Sequence, residues 1–300
     1  MTSISGASGP SIVIPGLSAV ADRYDVLLCD VWGVVHNGRA AFTKACDALM
    51  RFRAKGGSVV LITNAPRPNQ PIRVQLEGLK VPRDVYDDMV TSGDVTLSFI
   101  AERKEAPLYH IGPERDLTLF DILEQMTGIR PPLVGVDEAS YVVCTGLFND
   151  LTEQPSDYDD RLSVMHRRKL DFISANPDLV VHVGDKLIYC SGALAERYEE
   201  AGGLVLQAGK PFRPIYERAV SLAGGLRGGA PDLSRILAIG DALRTDIQGA
   251  SDFGVDALFV TSGIHRGDLH ASGPLDEAAL SKALTEARVR PVAAIPELVW

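Results

Sequence analysis

Short apolar runs alternate with amphipathic stretches along nearly the whole chain. The runs are rich in Val, Ile and Leu and lack polar–apolar alternation, so they predict strands that are buried on both faces of a sheet. They are Val26–Cys29, Val59–Thr63, Leu108–Ile111, Tyr141–Cys144, Leu179–Val183, Leu204–Gln207, Ile236–Ile239 and Ala257–Val260.

The stretches between these runs have the periodicity of helices. In the first, Phe42, Ala45, Leu49 and Phe52 share one stripe, and a basic turn followed by glycine, Lys55–Gly57, ends it. The strand–helix alternation predicts an α/β fold with a doubly wound, mainly parallel sheet and helices on both faces. Further helices are predicted over Leu117–Met126, Asp159–Ser174, Gly192–Glu200, Pro214–Leu222, Thr245–Phe253 and Glu277–Arg288.

Composition and charge narrow the class of protein. The 300 residues suit one large or two modest domains, and a content of 46% hydrophobic and 23% charged residues is ordinary for a soluble globular chain. With 30 Lys and Arg against 39 Asp and Glu, the net charge is −9. Such a surface repels nucleic acid and anionic membrane, so neither is an expected partner.

The cysteines and the N-terminus bear on location. No apolar run approaches the length that crosses a bilayer, and Met1–Ser18 lacks the basic and apolar regions of a signal peptide. The four cysteines lie far apart without a CxxC pair, which is typical of a reduced compartment. The sequence therefore predicts a cytoplasmic protein.

Polar residues follow several predicted strands directly. Asp30 comes after Val26–Cys29, Thr63 and Asn64 end the next run, and Asp241 and Asp246 follow Ile236–Ile239. A carboxylate in so apolar a context needs a partner, a metal or a function. Because the carboxyl ends of parallel strands open into one crevice, we expect these side chains to meet there.

The chemistry of that crevice follows from its charges. Asp30, Asp241 and Asp246 brought together repel one another unless a cation lies between them, and oxygen-only ligation beside a phosphate favours Mg²⁺. Lys210 follows another apolar run and can offer its charge to a phosphoryl oxygen. A carboxylate nucleophile, a metal, a hydroxyl and a lysine constitute a phosphoryl-transfer site that works through an aspartyl-phosphate.

Each of these residues alone also has a structural interpretation. Asp30 is compatible with a helix cap or a salt-bridged core acid, and Thr63 with Asn64 is compatible with a turn. Lys210 is compatible with a solvated lysine, although a positive charge at a helix start is unfavourable. Only their joint occurrence favours the functional interpretation.

The ordered set resembles the four motifs of the haloacid-dehalogenase-like (HAD) hydrolases. Asp30–Val34 resembles the first motif, with Asp30 at the nucleophile, and Thr63-Asn64 resembles the second, with Thr63 at the phosphate-binding hydroxyl. Gly209–Pro211 is similar to the third, with Lys210 at its lysine, and Gly240–Asp246 matches the fourth, GDxxxTD.

This resemblance implies roles for the remaining residues. It implies that Mg²⁺ is bound by Asp30, by Asp241 directly and by the main-chain carbonyl of Trp32, with Asp246 in support. It also implies that Thr63, Asn64 and Lys210 hold the phosphoryl group.

The spacing of the motifs implies a subgroup. About 145 residues separate the second and third motifs, which resembles class IIA, the subgroup of NagD-type nucleotide phosphatases and pyridoxal phosphate phosphatase. The resemblance covers roughly residues 20–265. It implies a core of residues 20–103 and 204–300, an α/β cap inserted as residues 104–203, and a possible homodimer. Ser174–Asp178 resembles a segment of those caps.

One position departs from the family pattern. Phosphatases of this superfamily usually carry an Asp general acid and base where this chain has Trp32. Loss of such an acid costs about 10²–10⁴ in rate, so we expect slow turnover that favours good leaving groups such as aryl or acyl phosphates. His36, in the loop after Asp30, is a candidate substitute.

The function predicted from these residues is Mg²⁺-dependent hydrolysis of a small phosphorylated metabolite. Two alternatives stay open. A weakly active or inactive protein that binds a phosphorylated ligand as a sensor is suggested by Trp32, and a haloacid-type dehalogenase is opposed by Asp241 and Asp246, which such enzymes lack.

Overall fold

The chain folds around a six-stranded sheet. The computed structural model describes residues 12–183 and 186–300. The strands of this sheet are β1 (Val26–Cys29), β2 (Ser58–Thr63), β3 (Asp88–Thr91), β10 (Ile236–Gly240), β11 (Asp256–Val260) and β12 (Ala293–Ile295). All pair in parallel, in the order β12-β11-β10-β1-β2-β3. The chain therefore winds outward on both sides of β1, and the direction reverses between β1 and β10.

Apolar residues cover both faces of this sheet. Along β1, Leu27 and Cys29 lie in one hydrophobic cluster while Val26 and Leu28 lie in another, because successive side chains point to opposite faces. One cluster includes the buried sides of α1 and α2, and the other those of α7, α8 and α10, so the predicted doubly wound fold is confirmed. The helices of this core are α1 (Thr43–Ala54), α2 (Asn69–Gly78), α3 (Ser92–Glu102), α7 (Arg213–Arg227), α8 (Gln248–Phe253), α9 (Arg266–Leu269) and α10 (Glu277–Ala287).

A second α/β unit is inserted between α3 and α7. Its strands β4 (Leu108–Ile111), β5 (Tyr141–Cys144), β6 (Asp171–Ser174) and β9 (Val205–Gln207) form a parallel sheet in the order β4-β5-β6-β9. Its helices are α4 (Thr118–Thr127), α5 (Asp159–Arg167) and α6 (Ser191–Glu200). We call this the inserted unit. Because β9 pairs with β6, we propose that it extends to residue 207 rather than 203.

Two predicted elements are wrong. The helix predicted over Asp159–Ser174 ends at Arg167, and its second half is the strand β6. The run Leu179–Val183 does not enter a parallel sheet: β7 (Val180–Val183) pairs antiparallel with β8 (Lys186–Tyr189). Only residues 184 and 185 separate these two strands, and a parallel pair needs a far longer crossover.

Several elements were not predicted. The strands β3 and β12 lie at the two edges of the core sheet and have only four and three residues, too few to give a recognisable pattern along the chain. Within the described part of the chain, no helix is both long and apolar enough to cross a membrane. The absence of a signal peptide was predicted from residues 1–18, of which the first eleven lie outside the described residues.

Candidate active site

A cavity of about 520 Å³ opens at the carboxyl edge of the core sheet, where the strand order reverses. Asp30 follows β1 and Asp241 follows the neighbouring β10, so the sheet sets their two backbones side by side. The inserted unit contributes part of the wall through Asn176, Asp178 and Val180. The cavity is thus enclosed by both units.

Three carboxylates and one lysine form a buried cluster in this cavity. Asp30, Asp241 and Asp246 each offer an oxygen atom, and these atoms lie within 4.8 Å of one another. The ammonium group of Lys210 donates hydrogen bonds to Asp30 and, at 2.6 Å, to Oδ1 of Asp246. Each of these four residues exposes at most 6% of its surface to solvent. Charges buried this deeply are stable only when opposite charges lie beside them.

The electrostatics of the cluster indicate an excess of negative charge. Burial raises the pKa of Asp241 to about 7, and the charge of Asp246 adds to this effect. Burial also raises the pKa of Asp30, although Lys210 opposes the shift. For Lys210, burial alone would lower the pKa, but Asp246 and Asp30 outweigh it and raise it. One lysine against three carboxylates leaves room for a further cation.

The local backbone brings the carboxylates into place. Asp246 lies on a π-helical turn, Leu243–Ile247, and its Oδ2 accepts a hydrogen bond of 3.0 Å from the amide of Ala242. Oδ2 of Asp241 accepts one of 2.7 Å from the amide of Ile264. A Cβ at Gly263 would lie 1.8 Å from that Asp241 oxygen, so only glycine allows the loop to approach so closely.

Asn64 joins three segments of the chain. Its Oδ1 accepts a hydrogen bond of 2.7 Å from the amide of Lys210, and its Nδ2 donates to the carbonyl of Lys210 at 3.1 Å and to Oδ1 of Asp178 at 3.0 Å. Thr63 is buried beside it, with Oγ1 accepting from the amide of Ala65 at 3.3 Å. Asn64 therefore fixes the main chain of Lys210 relative to β2.

The structure brings every predicted site residue into one cavity. The following residues all line it: Asp30, Trp32, Thr63, Asn64, Lys210, Asp241 and Asp246. Their individual roles stay predictions. Those roles require that residues from distant parts of the sequence lie close together, and in the structure they do.

An indole that packs on a histidine stands where the family resemblance predicts a general acid. The rings of Trp32 and His36 meet edge-on, with centroids 5.1 Å apart. His36 is buried, its Nδ1 accepts a hydrogen bond of 2.9 Å from the amide of Gly38, and burial lowers its pKa to about 4. Its imidazole is therefore neutral at pH 7 and holds no proton suited to acid catalysis.

Sequence reasoning assigned no role to Asp178, which lines the same cavity. Burial raises its pKa, and the charge of Lys210 opposes that shift. The available signal was the one that identified Asp30, a carboxylate shortly after an apolar strand. The helix predicted across Asp159–Ser174 concealed that strand.

Known proteins resemble this chain in sequence and in fold. A haloacid dehalogenase-like hydrolase family model matches residues 27–124, and a second, HAD-hydrolase-like, model matches residues 207–287. A solved haloacid dehalogenase-like hydrolase from Brucella suis 1330 is 47% identical, with a TM-score of 0.82 over 95% of this chain and 99% of that one.

Two curated relatives are more distant in sequence. The 5'-nucleotidase YutF of Bacillus subtilis (strain 168) is 24% identical over 249 residues, 80% of this chain and 88% of its own length. The ribonucleotide monophosphatase NagD of Escherichia coli (strain K12) is 26% identical over 242 residues, 79% of this chain and 88% of its own.

The matches define a hydrolase with a doubly wound α/β core. This chain belongs to the haloacid dehalogenase-like hydrolases, and its relatives assign it to their class IIA.

Proposed function

We propose that this protein is a Mg²⁺-dependent phosphatase that hydrolyses a small phosphorylated metabolite through an aspartyl-phosphate on Asp30. The observation that carries the proposal is the buried cluster of three carboxylates and Lys210 where the strand order reverses. The names of the two curated relatives, both nucleotide phosphatases, support a phosphate ester as the substrate.

The side chains around Asp30 suit the two stages of such a reaction. The carboxylate of Asp30 attacks phosphorus in line, and Lys210 holds a phosphoryl oxygen while Thr63 and Asn64 supply the polar wall. Water then hydrolyses the acyl phosphate and frees Asp30. Lys210 is well suited to its role because its backbone is held by Asn64 at both its amide and its carbonyl.

The chemistry of the donor set fits Mg²⁺. Asp30 and Asp241, with the carbonyl of Trp32, would hold the ion, and Asp246 would support it, since hard oxygen ligands are those that Mg²⁺ prefers. Burial, and after it the charge of Asp246, raises the pKa of Asp241, and a bound cation would favour the ionised carboxylate that a metal ligand requires. When bound, Mg²⁺ neutralises charge on the phosphoryl oxygens.

We propose that the inserted unit is the cap that restricts access to the substrate. Its residues Asn176, Asp178, Val180 and Val181 line the cavity opposite the core loops, which supports a role in excluding water and contacting the leaving group. A reduced, cytoplasmic setting is supported by the four free and buried cysteines. We also propose a homodimer, on the basis of the resemblance to class IIA alone.

A panel of phosphate esters assayed with Mg²⁺ and with EDTA tests the function. We expect turnover that requires Mg²⁺ and is absent in Asp30→Asn. Binding of a phosphorylated ligand without turnover by the wild type would favour the sensor alternative, which Trp32 motivates. Hydrolysis of 2-haloacids that survives EDTA would favour a dehalogenase.

A further inference from the structure

The leaving oxygen has no proton donor at Trp32. An acid that protonates this oxygen as the P–O bond breaks accelerates the step by about 10²–10⁴. Asp30, Asp246 and Lys210 are already bound to one another, and Asp241 is held by the amide of Ile264. The donor must therefore come from elsewhere in the cavity.

Asp178 is a carboxyl group of that cavity outside the acidic cluster. Its Oδ1 accepts the hydrogen bond from Asn64, and among the described residues no group donates a hydrogen bond to its Oδ2. One oxygen is thus fixed in direction while the other is available to a bound molecule. Such an arrangement is suited to proton transfer, because geometry is the first requirement of a general acid.

The backbone around Asp178 is held from both units. Its amide donates a hydrogen bond of 3.0 Å to Oδ1 of Asn176. A Cβ at Gly192, in the first turn of α6, would lie 2.3 Å from the carbonyl oxygen of Pro177, and one at Gly209 would lie 2.6 Å from the Cδ of Pro177. This close packing fixes Asp178 within the cavity wall.

We propose that Asp178 is the general acid and base of this enzyme, in place of the residue that Trp32 replaces. The inference rests on the proposed phosphatase function and specifies its proton transfer. As Asp30 forms its bond to phosphorus, the bond from phosphorus to the leaving oxygen breaks, and that oxygen takes the proton of Asp178. In the second stage water attacks phosphorus, its proton passes to the Asp178 carboxylate, and Asp30 departs as a carboxylate.

The surroundings of Asp178 support this role. Burial raises its pKa, and Asp246 adds to the rise, whereas Lys210, Arg244 and the Asn64 hydrogen bond lower it. The charge of Asp178 also reaches Asp241 and Cys190, where it adds to the rise in pKa that burial causes in each. A carboxyl group with a raised pKa retains a proton closer to neutral pH, which is what an acid in this step requires.

The proposal changes the expected response to the leaving group. Trp32 alone predicts rates that depend steeply on leaving-group acidity. With Asp178 as the acid, the rate of the wild type depends only weakly on the acidity of the leaving group. A variant that lacks the Asp178 proton should show the steep dependence.

Asp178→Asn tests the proposal, because the amide oxygen still accepts from Asn64 while the proton is lost. Rates of the Mg²⁺-loaded full chain are measured on aryl and alkyl phosphates across pH. We expect kcat on alkyl phosphates to fall about 10²–10⁴-fold, and kcat on 4-nitrophenyl phosphate to fall less than about tenfold. The decrease of the alkyl phosphate rate at high pH should also disappear, because it reflects loss of the Asp178 proton.

His36→Gln is the matched control, and its leaving-group dependence should equal that of the wild type. Equal losses of Asp178→Asn on both ester classes would overturn the proposal and leave a positioning role through Asn64. A steep dependence in the wild type, or one acquired by His36→Gln, would also overturn it. Absence of turnover on every ester by the wild type would instead reject the phosphatase function itself.

Discussion

The amide of Asn64 donates a hydrogen bond of 3.0 Å to the carboxyl group of Asp178, across the boundary between the core and the inserted unit. These residues are 114 positions apart in the chain. The same amide nitrogen donates to the carbonyl of Lys210. The loop after β2, the loop that carries Lys210 and the wall of the inserted unit are therefore joined at one side chain.

Replacement of Asn64 by Ala should destabilise the protein through this junction. The change leaves the buried amide and carbonyl of Lys210 without partners, and each such group costs about 1–3 kcal/mol. We expect the free energy of unfolding in urea to fall by about 2–6 kcal/mol. Gln75→Ala, whose partner Arg67 lies on the same cavity wall, is a comparison variant that should lose less than about 1 kcal/mol. Equal losses would contradict a special role of Asn64.

Asp30→Asn should abolish turnover without abolishing ligand binding. The amide oxygen still accepts from Lys210, but it is not a nucleophile, so we expect kcat to fall by about 10⁴-fold or more. Calorimetry with inorganic phosphate and Mg²⁺ should still detect binding. Wild-type protein quenched in acid during turnover should carry an acyl phosphate that the variant lacks. Full activity of Asp30→Asn would contradict the nucleophile assignment.

Removal of Mg²⁺ should affect stability as well as activity. At a Mg²⁺ concentration of 100 times Kd, the native state gains about 2.7 kcal/mol, so Tm should rise on adding the ion. Asp241→Asn removes one repelling carboxylate, so its metal-free Tm should be higher than that of the wild type and should no longer respond to Mg²⁺. A metal-free Tm that falls would show that repulsion is not the dominant effect at residue 241.

Stability should decrease below neutral pH because of His36. Its pKa is about 4 in the folded state and about 6.5 when unfolded, so the unfolded state binds more protons between these values. The stability from a neutral His36 is present above pH 6.5 and is lost as pH falls toward 4. We expect about 2 kcal/mol less stability at pH 5 than at pH 7 from this residue. Urea unfolding of His36→Gln should show a correspondingly weaker pH dependence, and an unchanged one would contradict the prediction.

A carboxylate at residue 32 should compensate for the loss of Asp178. In the double variant Trp32→Asp with Asp178→Asn, we expect alkyl phosphate turnover at least about tenfold above Asp178→Asn alone, since general acid catalysis contributes 10²–10⁴-fold. Trp32→Asn in the same background controls for removal of the indole. Equal recovery in both double variants would assign the gain to space and not to the proton.

The sequence was sufficient to predict the strands that are completely buried. The strands β1, β2 and β10 lie inside the core sheet, are buried throughout and consist mainly of apolar residues, so their positions follow from the chain alone. Asp30 and Asp241 directly follow two of them, and the order of a parallel sheet brings such residues to one edge. The residues of the cluster could therefore be predicted together.

The sequence did not suffice at the inserted unit. The strand β6 has only four residues and follows an amphipathic helix closely. Its apolar residues therefore fit the helical periodicity of Asp159–Ser174, and the pattern alone does not separate the strand from the helix. The run Leu179–Val183 is as apolar as a strand of a parallel sheet, and the short connection from β7 to β8 is what excludes a parallel pair. Asp178 lies between these two misassigned elements and consequently received no role.

The amino-acid sequence by itself determined the doubly wound core and the residues at its strand ends, because local apolar pattern and parallel winding constrain both. Only the tertiary structure decided which group of the inserted unit enters the cavity. The contact of Asp178 with Asn64 depends on how two separately folded sheets pack together, and no local pattern in the chain encodes that packing.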